Sequence, residues 1–277
     1  MTWRIIPYRV ADPARNMAID EAIFSCYLKK KIPPTLRFYG WDPPSLSVGY
    51  FQEIEKEINI ENLSRYGFGL VRRNTGGRAV LHHHELTYSI VAGVQDGVPE
   101  GLTDSYLYIS KALAGAFQGL GISADLFTGS SAGNKRTGAC FDAPSWYELT
   151  VNRQKLVGSA QLRRQDSFLQ HGSILLKFSP EDLASVLKIQ AVSMDKWVDS
   201  IKEKVTSFED LGVIIRPIDL EEKIVNSFAQ LYKLEFDMGD LIPEELELVE
   251  QLITTKYAND EWNLYRGKSC DQVQHII

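Results

Sequence analysis

A cysteine and a lysine, Cys140 and Lys155, are the residues of this chain best suited to covalent chemistry. Lys155 opens the segment KLVGSAQ, which has strand character but contains Gly, Ser and Ala. Small residues weaken a strand unless a ligand or another backbone must approach it closely. A thiolate is a good nucleophile, and a nearby ammonium group lowers the pKa of a thiol from its free value of about 8.5. The pair is therefore either a nucleophile with its activator or part of a structural hairpin.

A second candidate site is the glycine turn in RRNTGGRAVLH, which begins at Arg72. Gly76 and Gly77 allow positive φ angles and a close approach between backbone and ligand. Three arginines, Arg72, Arg73 and Arg78, supply bidentate donors for a phosphate or a carboxylate. The turn predicts a site for an anionic, extended ligand, with a solvated surface hairpin as the alternative. Its spacing is not that of a P-loop.

Three consecutive histidines, His82 to His84, follow this turn. Alternate side chains of an extended chain point to opposite faces, so the three cannot all face one metal ion. Glu85 is the one carboxylate or thiol at ligand spacing. We therefore expect no metal site and one histidine that faces a ligand.

The cysteines indicate a reducing compartment. There are three of them, widely spaced and without a CxxC pair, which is typical neither of a disulfide framework nor of a zinc site. Cys26 lies on the apolar face of a predicted helix and is expected to be a buried core thiol. Cys270 lies in a polar segment and is interpreted as incidental.

The composition is that of a globular protein. The 277 residues are 44% hydrophobic and 24% charged, with a formal net charge of −6. The acidic balance argues against nucleic acid or an anionic membrane surface as the main partner. We find no signal peptide and no apolar run of membrane-spanning length, and we expect a cytoplasmic protein.

Strands and helices mix as far as about residue 178, and helices predominate beyond it. The predicted strands are 3–8, 35–39, 45–50, 67–72, 86–92, 122–127, 145–151, 155–163 and 170–177. The predicted helices are 17–29, 54–66, 104–120, 219–232 and 243–257, and a further helix begins at Ser179. The pattern is typical of an α+β fold, a mostly antiparallel, mixed sheet packed with helices. We predict one domain over residues 1–277, in which about 179–266 form a mainly helical C-terminal extension.

The predicted hairpin turns at Asn152, Arg153 and Gln154 and pairs Val151 with Lys155. Cys140 then lies roughly 36 Å from Val151 if the chain between them is extended at about 3.3 Å per residue. It reaches Lys155 only if the loop 127–144 folds back over the sheet. The Gly and Ser residues of that loop permit such a path but do not require it.

Several motifs, in the same order along the chain, resemble the signatures of the lipoate–protein ligase and biotin ligase superfamily. They are RFYGWDPPSLSVGYFQ, RRNTGGRAVLHHHELTYSI, and KLVGSAQ followed by LQHGSILL. ACFDAPSWYEL and TKYANDEWNLYR are most similar to the LipM type of octanoyltransferase within it. The resemblance covers about residues 3–266 and implies the catalytic-domain fold of the lipoate and biotin ligases.

This resemblance implies an activity in protein lipoylation. An octanoyl group would move from acyl carrier protein to Cys140, as a thioester, and then to a lysine of a lipoyl domain, in the glycine cleavage H protein or an E2 subunit. Lys155 would lie beside the thioester and lower the pKa of the cysteine. The residues implied to line the acyl site are Arg72, Gly76, Gly77, Arg78, His82, Gly158, Ser159, Ala160, Gln161, His171 and Gly172. No cofactor is required, because thioester exchange and amide formation need no ATP, and we expect a monomer.

Three other functions remain open. An ATP-dependent lipoate–protein ligase would share the glycine turn and Lys155 but would need no cysteine at position 140. A lipoyl-domain amidotransferase would carry its relay cysteine elsewhere in the chain. A non-catalytic module that binds acylated proteins would form no covalent acyl-enzyme.

Overall fold

The structure, a computed structural model, describes residues 1–127, 148–189 and 192–267. The strands are β1 (Thr2–Ala11), β2 (Thr35–Trp41), β3 (Ser45–Val48), β4 (Gly69–Arg72), β5 (Val80–His82), β6 (Glu85–Gly93), β7 (Asp125–Phe127), β8 (Glu148–Val151), β9 (Gln154–Arg164), β10 (Ser167–Leu175) and β11 (Glu235–Met238). The helices are α1 (Pro13–Leu28), α2 (Ile54–Glu57), α3 (Ile60–Tyr66), α4 (Leu102–Gln118), α5 (Pro180–Ser185), α6 (Met194–Lys202), α7 (Pro217–Tyr232), α8 (Pro243–Leu252) and α9 (Asp260–Tyr265). A 3-10 turn spans Val94–Asp96, and a π-helical turn, Ile253–Tyr257, joins α8 to α9.

The strands form two sheets. The large sheet has eight strands in the order β11-β1-β2-β6-β10-β9-β8-β7, and the small sheet has three in the order β4-β3-β5. Most neighbours are antiparallel, while β1 is parallel to both β2 and β11, and β3 is parallel to β4. The predicted α+β fold with a mixed sheet is confirmed.

Helices cover both faces of the large sheet. On one face, α4 and α7 contribute Phe117 and Phe228 to a core that includes Ile90 of β6. On the other, Phe24 of α1 packs in a separate cluster with Val91. Ile90 and Val91 are neighbours on one strand and therefore point to opposite faces. Because both faces are covered, β6 is buried along its whole length.

Helix α1 begins at a strong capping signal. The Asp12 side chain accepts a hydrogen bond from the Arg15 N–H at 2.9 Å, and Pro13 occupies the first helical position. The helix packs between the large sheet and the C-terminal elements, which include α8 and the π-helical turn. Helix α1 therefore contacts both the large sheet and the C-terminal part of the chain.

One feature of the predicted element pattern is wrong, and one strand was not predicted. The single helix predicted over 54–66 is two helices, because Ile58 is extended and the side chain of Asn59 caps a new helix at the Asn62 N–H. The C-terminal part also contains a strand, β11, which pairs in parallel with β1. A four-residue strand at a sheet edge carries too short an alternation to be recognised in the sequence.

The hairpin register also differs from the prediction. Val151 pairs with Gln154 and Thr150 with Lys155, so the turn has two residues, Asn152 and Arg153, not three. Both have positive φ, 51° and 68°, which is the turn geometry that matches the twist of paired strands. The next pair is Leu149 with Val157, so β9 contains a bulge that changes the direction of its side chains near Lys155.

Within the described residues, no helix combines the length and the apolar character needed to cross a membrane.

Replacing Arg153 with glycine is expected to stabilise the protein. An arginine at φ 68° carries a left-handed backbone penalty that glycine does not. We expect the free energy of unfolding in urea to rise by about 1 kcal/mol. The control is Arg164→Gly, an exposed strand position without positive φ, which should lower stability. A lower free energy of unfolding in the Arg153→Gly protein would contradict this account of the turn.

Candidate functional site

A cavity of about 300 Å³ lies where the small sheet meets β9 and β10 of the large one. Eight of the residues predicted from the sequence line it, namely Gly77, Arg78, His82, Gly158, Ser159, Ala160, His171 and Gly172. The lining also includes Arg73 of the glycine turn and residues that the sequence did not single out as site residues, among them Met17, Tyr39, Trp41 and Val80. Arg72, Gly76 and Gln161 are not among the lining residues.

Small residues on paired strands make the space. Gly158 lies opposite Ser173, and Gly172 lies opposite Ser159. A Cβ atom at Gly172 would come within 2.5 Å of the Ser159 Oγ and 2.6 Å of the Tyr88 ring. The glycine in LQHGSILL therefore has a physical cause, because a side chain at this position would collide with Ser159 and Tyr88.

Gln161 belongs to a polar chain beside the cavity. Its Nε2 donates to the Gln170 Oε1 at 3.0 Å, and the Gln170 Nε2 donates to the Tyr88 hydroxyl at 2.9 Å. That hydroxyl lies 2.8 Å from the Ser159 Oγ. Burial raises the pKa of Tyr88 to about 12, so the hydroxyl keeps its proton at neutral pH. This chain fixes Ser159, which lines the cavity.

Arg73 holds the glycine turn from inside. Its Nη2 donates to the carbonyls of Gly76 at 2.9 Å and Arg78 at 2.7 Å, and its Nε donates to the Thr75 Oγ1 at 3.1 Å. Its Nη1 donates to the carbonyl and the Oγ of Ser47 in β3. The guanidinium group thus connects both ends of the turn to the small sheet, and the turn wraps around it.

The expected role of Arg72 as a lining residue is corrected by the structure. Its side chain is fully buried on the other side of the strand, because consecutive strand residues point to opposite faces. The guanidinium donates to six carbonyl oxygens, those of Gly49, Tyr50, Gln52, Trp262, Asn263 and Leu264. Burial, assisted by Arg266, lowers its pKa to about 10, so it remains charged at neutral pH. Arg72 is a structural clamp.

His171 joins the turn to α1. Its Nε2 lies 2.7 Å from the Thr75 Oγ1, and its Nδ1 lies 3.2 Å from the Asp20 carboxylate. Asp20 also accepts hydrogen bonds from Arg37 at 2.7 Å and from the Tyr39 hydroxyl at 2.8 Å. Burial acts to raise the pKa of Asp20, but Arg37 and His171 outweigh it and hold the pKa below its ordinary value. An ionised carboxylate only accepts, so the His171 Nδ1 carries a hydrogen toward it.

His82 forms another wall of the cavity. Its ring stacks on Trp41 with centroids 4.0 Å apart, and its Nε2 lies 2.8 Å from the Ser47 Oγ. Burial lowers the pKa of His82 despite the neighbouring Glu85, so the imidazole is neutral at pH 7. His83 instead pairs with Asp182 at 3.2 Å. In the described part of the chain, no group of three His, Cys, Asp or Glu residues is placed to hold a metal ion.

Lys155 is buried in the hairpin that precedes the cavity-lining part of β9. Its Nζ contacts the carboxylate of Glu148, which lies on β8. Its backbone bonds to the segment 204–206, through the Lys204 carbonyl at 2.7 Å and the Thr206 N–H at 3.0 Å. Gly158, which lines the cavity, is three residues further along, about 10 Å in an extended strand. The sequence analysis did not identify Glu148, because a single glutamate in a strand does not indicate which residue it will pair with.

Of the cysteines, only Cys26 lies in the part of the chain that the structure describes. It is buried against the sheet in the α1 cluster, as predicted, and burial raises the pKa of its thiol. Cys140 and Cys270 lie outside the described residues. The predicted pairing of Cys140 with Lys155 stays a prediction.

Comparison with known proteins agrees with the sequence motifs. The model of the lipoyl protein ligase A/B catalytic domain matches residues 12–229. The chain belongs to this family. Among its curated relatives are the octanoyltransferase LipM of Brevibacillus brevis, 44% identical over 275 residues, and that of Bacillus subtilis, 41% identical over 281 residues. The alignments cover 95% and 96% of this chain and 99% of each relative.

Solved structures of this family share the fold. A bipartite lipoate protein ligase from Thermoplasma acidophilum, studied with its E2 lipoyl domain, is similar with a TM-score of 0.79 and 24% identity. The match covers 95% of this chain and 96% of that one. Lipoate-protein ligase A bound with ATP gives the same TM-score and identity, with 95% and 99% covered. The predicted family and the predicted ligase-like catalytic fold are confirmed.

The two glycines of the turn are expected to respond differently to substitution. Gly77 has φ 92°, and a Cβ atom there would lie 3.0 Å from the Arg73 Nη2, whereas a Cβ atom at Gly76 would meet nothing within 4 Å. Gly77→Ala should lower the free energy of unfolding in urea by about 1–2 kcal/mol. Gly76→Ala, the matched control, should stay close to the wild type. Equal losses in the two variants would contradict this structure of the turn.

Proposed function

We propose that this protein is an octanoyltransferase of protein lipoylation, which moves an octanoyl group onto a lysine of a lipoyl domain. The observation that carries the proposal is the similarity, at 41–44% identity and over 95% or more of the chain, to curated octanoyltransferases. It also rests on membership of the lipoyl protein ligase A/B family.

The cavity supports an acyl ligand. At about 300 Å³ it lies at the small end of the range for small-molecule sites, which suits a single unbranched chain. Met17, Val80 and Ala160 supply apolar surface, and Gly77 and Gly158 leave backbone exposed. Apolar surface receives the alkyl chain, and bare backbone N–H groups suit a carbonyl oxygen.

The reaction proceeds through two acyl transfers. The Cys140 thiolate attacks the octanoyl thioester, a new C–S bond forms, and the donor's C–S bond breaks. The phosphopantetheine sulfur leaves as a thiolate and takes up the proton that Cys140 released on ionising. The neutral amine of the acceptor lysine then attacks the thioester on Cys140, a C–N bond forms and the C–S bond breaks. The nitrogen releases one proton to solvent and the cysteine leaves as a thiolate. The first step exchanges one thioester for another and the second forms a more stable amide, so neither step needs ATP.

Lys155 and Glu148 together set the charge near this chemistry. The ammonium group of Lys155 lowers the pKa of a thiol beside it, and the carboxylate of Glu148 opposes that effect. Because the pair is buried, each charge depends on the other for stability. In this proposal the pair sets the pKa of the Cys140 thiol. Lys155 is the activator, and Glu148 holds Lys155 in place.

The partners follow from the reaction. The donor is octanoyl-acyl carrier protein, and the acceptors are the glycine cleavage H protein and E2 subunits. The archaeal ligase of similar fold was studied together with its E2 lipoyl domain, which supports a lipoyl-domain acceptor. An ATP-dependent ligase is the second candidate, because the fold matches lipoate-protein ligase A bound with ATP.

Incubation with octanoyl-acyl carrier protein in the absence of nucleotide is expected to add one octanoyl group to the protein. Intact mass measures the addition, peptide mapping places it, and Cys140→Ser is the control that should carry no thioester. Acylation of a lipoyl domain only with ATP and free octanoate or lipoate would favour the ligase. Acylation at a different cysteine would favour the amidotransferase, and binding without acylation a non-catalytic module.

The reactivity of Cys140 is expected to depend in opposite ways on Lys155 and Glu148. Lys155→Met removes the ammonium group, so the thiol pKa should rise toward about 8.5 and alkylation at pH 7 should slow. Glu148→Gln removes the opposing carboxylate, so the thiol pKa should fall and alkylation at pH 7 should accelerate. The measurement is the pH dependence of iodoacetamide labelling of the Cys140 peptide.

The double variant Lys155→Met/Glu148→Gln distinguishes the effect of charge on the thiol from a general loss of stability. Lys155→Met alone leaves a buried carboxylate without its ammonium partner and should cost about 3–5 kcal/mol of stability, while adding Glu148→Gln should restore most of it. The double variant should still react slowly at pH 7. Identical labelling profiles in the wild type and in Lys155→Met would show that Lys155 does not activate the thiol.

A further inference from the structure

The C-terminal strap, residues 253–266, comprises the π-helical turn, α9 and Arg266, and it lies behind the glycine turn. None of its residues lines the cavity, and all of them lie beyond the part of the chain, 12–229, that the family model matches. A π-helical turn is uncommon and often occurs at functional positions. The strap contacts residues that adjoin the lining of the cavity at three places.

First, side chains of the strap take the place of a strand neighbour beside β4. The Asn263 Oδ1 accepts a hydrogen bond from the Arg72 N–H at 2.9 Å, and the Trp262 Nε1 donates to the Arg72 carbonyl at 2.8 Å. Both backbone groups of Arg72 are thereby bonded to α9. Arg72 directly precedes Arg73, so these two bonds fix the point where the glycine turn begins.

Second, the Arg72 guanidinium joins the strap to the segment that supports Gly77. It donates to the strap carbonyls of Asn263 and Leu264 and to the carbonyl of Gly49 at 3.0 Å. Gly49 lies directly against the turn, since a Cβ atom there would come within 2.0 Å of the Gly77 carbonyl oxygen. A displacement of the strap is therefore transmitted to Gly77 through closely packed backbone.

Third, Lys256 ties the turn to α1. Its Nζ donates to the Asn74 Oδ1 at 2.8 Å and to the Glu21 carboxylate at 2.7 and 3.0 Å, and it lies 4.1 Å from the centre of the Trp262 ring. The Tyr257 hydroxyl donates to the same carboxylate at 2.6 Å. Glu21 follows Asp20, which holds His171, so the strap reaches both the turn and the helix that positions the opposite wall.

We propose that the strap positions the glycine turn and thereby sets the affinity of the cavity for its acyl group, with Lys256, Trp262 and Asn263 as positioning residues. The identity of the ligand rests on the function proposed above. A turn with two glycines has large conformational freedom, and a ligand that orders it must offset that entropy. Fixing the turn beforehand removes the cost from binding.

The test compares binding of octanoic acid by calorimetry in two strap variants, each made in the Cys140→Ser protein so that no acyl transfer occurs. Trp262→Phe removes the hydrogen bond to the Arg72 carbonyl while keeping an aromatic ring. Lys256→Met removes the ammonium group while keeping the length of the side chain. Loss of one buried hydrogen bond corresponds to roughly 1 kcal/mol, so we expect about fivefold weaker binding in Trp262→Phe. Lys256→Met should weaken binding at least as much, and Lys256→Arg should recover part of the loss.

A second readout separates positioning from general loosening. Alkylation of Cys140, measured in strap variants that retain the cysteine, should keep its wild-type rate, because the strap bonds to Arg72, Asn74 and α1, whereas Lys155 is held by Glu148 and the segment 204–206. Amide hydrogen exchange in residues 73–78 should accelerate in both variants. Unchanged octanoate affinity and unchanged exchange would overturn the proposal.

The matched control is Glu245→Gln, in the same C-terminal part of the chain. Its buried carboxylate pairs with Arg4 at 2.6 Å and fixes β1, which contributes no residue to the cavity lining. This variant should lose stability without losing octanoate affinity, and an equal loss of affinity would refute a specific role for the strap. If the wild-type cavity binds no octanoate at all, the proposed function fails, and that outcome is distinct from a failure of the strap alone.

Discussion

Two adjacent guanidinium groups, those of the last residue of β4 and of the residue that follows it, hold the turn on which the cavity depends. Arg73 faces the cavity and bonds to the carbonyls of Gly76 and Arg78, while Arg72 faces the interior and bonds to carbonyls from two distant segments. The alternation of side chains along a strand gives chemically identical residues these different positions. A buried guanidinium is costly unless its donors are satisfied, and here backbone carbonyls accept hydrogen bonds from both groups.

The same condition governs the other buried charges around the cavity. Asp20 is bonded to Arg37 and Tyr39 and lies beside His171, and Lys155 is paired with Glu148 across a hairpin. Each group is held by partners on other elements, so the elements cannot shift independently without exposing an uncompensated charge. Polar groups that are already bonded to the protein leave the open part of the cavity suited to an apolar chain.

Much of this arrangement was predictable from the sequence, and the reasons for the misses are physical. The family motifs located Gly77, Gly158 and His171. A close approach between backbone and ligand restricts the residue types of neighbouring positions, and this restriction is visible in the sequence. The motif could not say which arginine faces the cavity, because that depends on where β4 ends and the turn begins. Asp20 was missed because its partners are remote in the chain, and the hairpin register was wrong because Arg153 adopts a conformation that arginine rarely favours.

The bonds between α9 and Arg72 have a consequence for the surface of the small sheet. A strand at the edge of a sheet presents unpaired N–H and C=O groups, which can recruit a strand from another molecule and begin aggregation. At Arg72 both groups are already bonded to Trp262 and Asn263. Helix α9 therefore terminates the sheet at this point, and an extended segment of another molecule cannot pair with Arg72 as an additional strand.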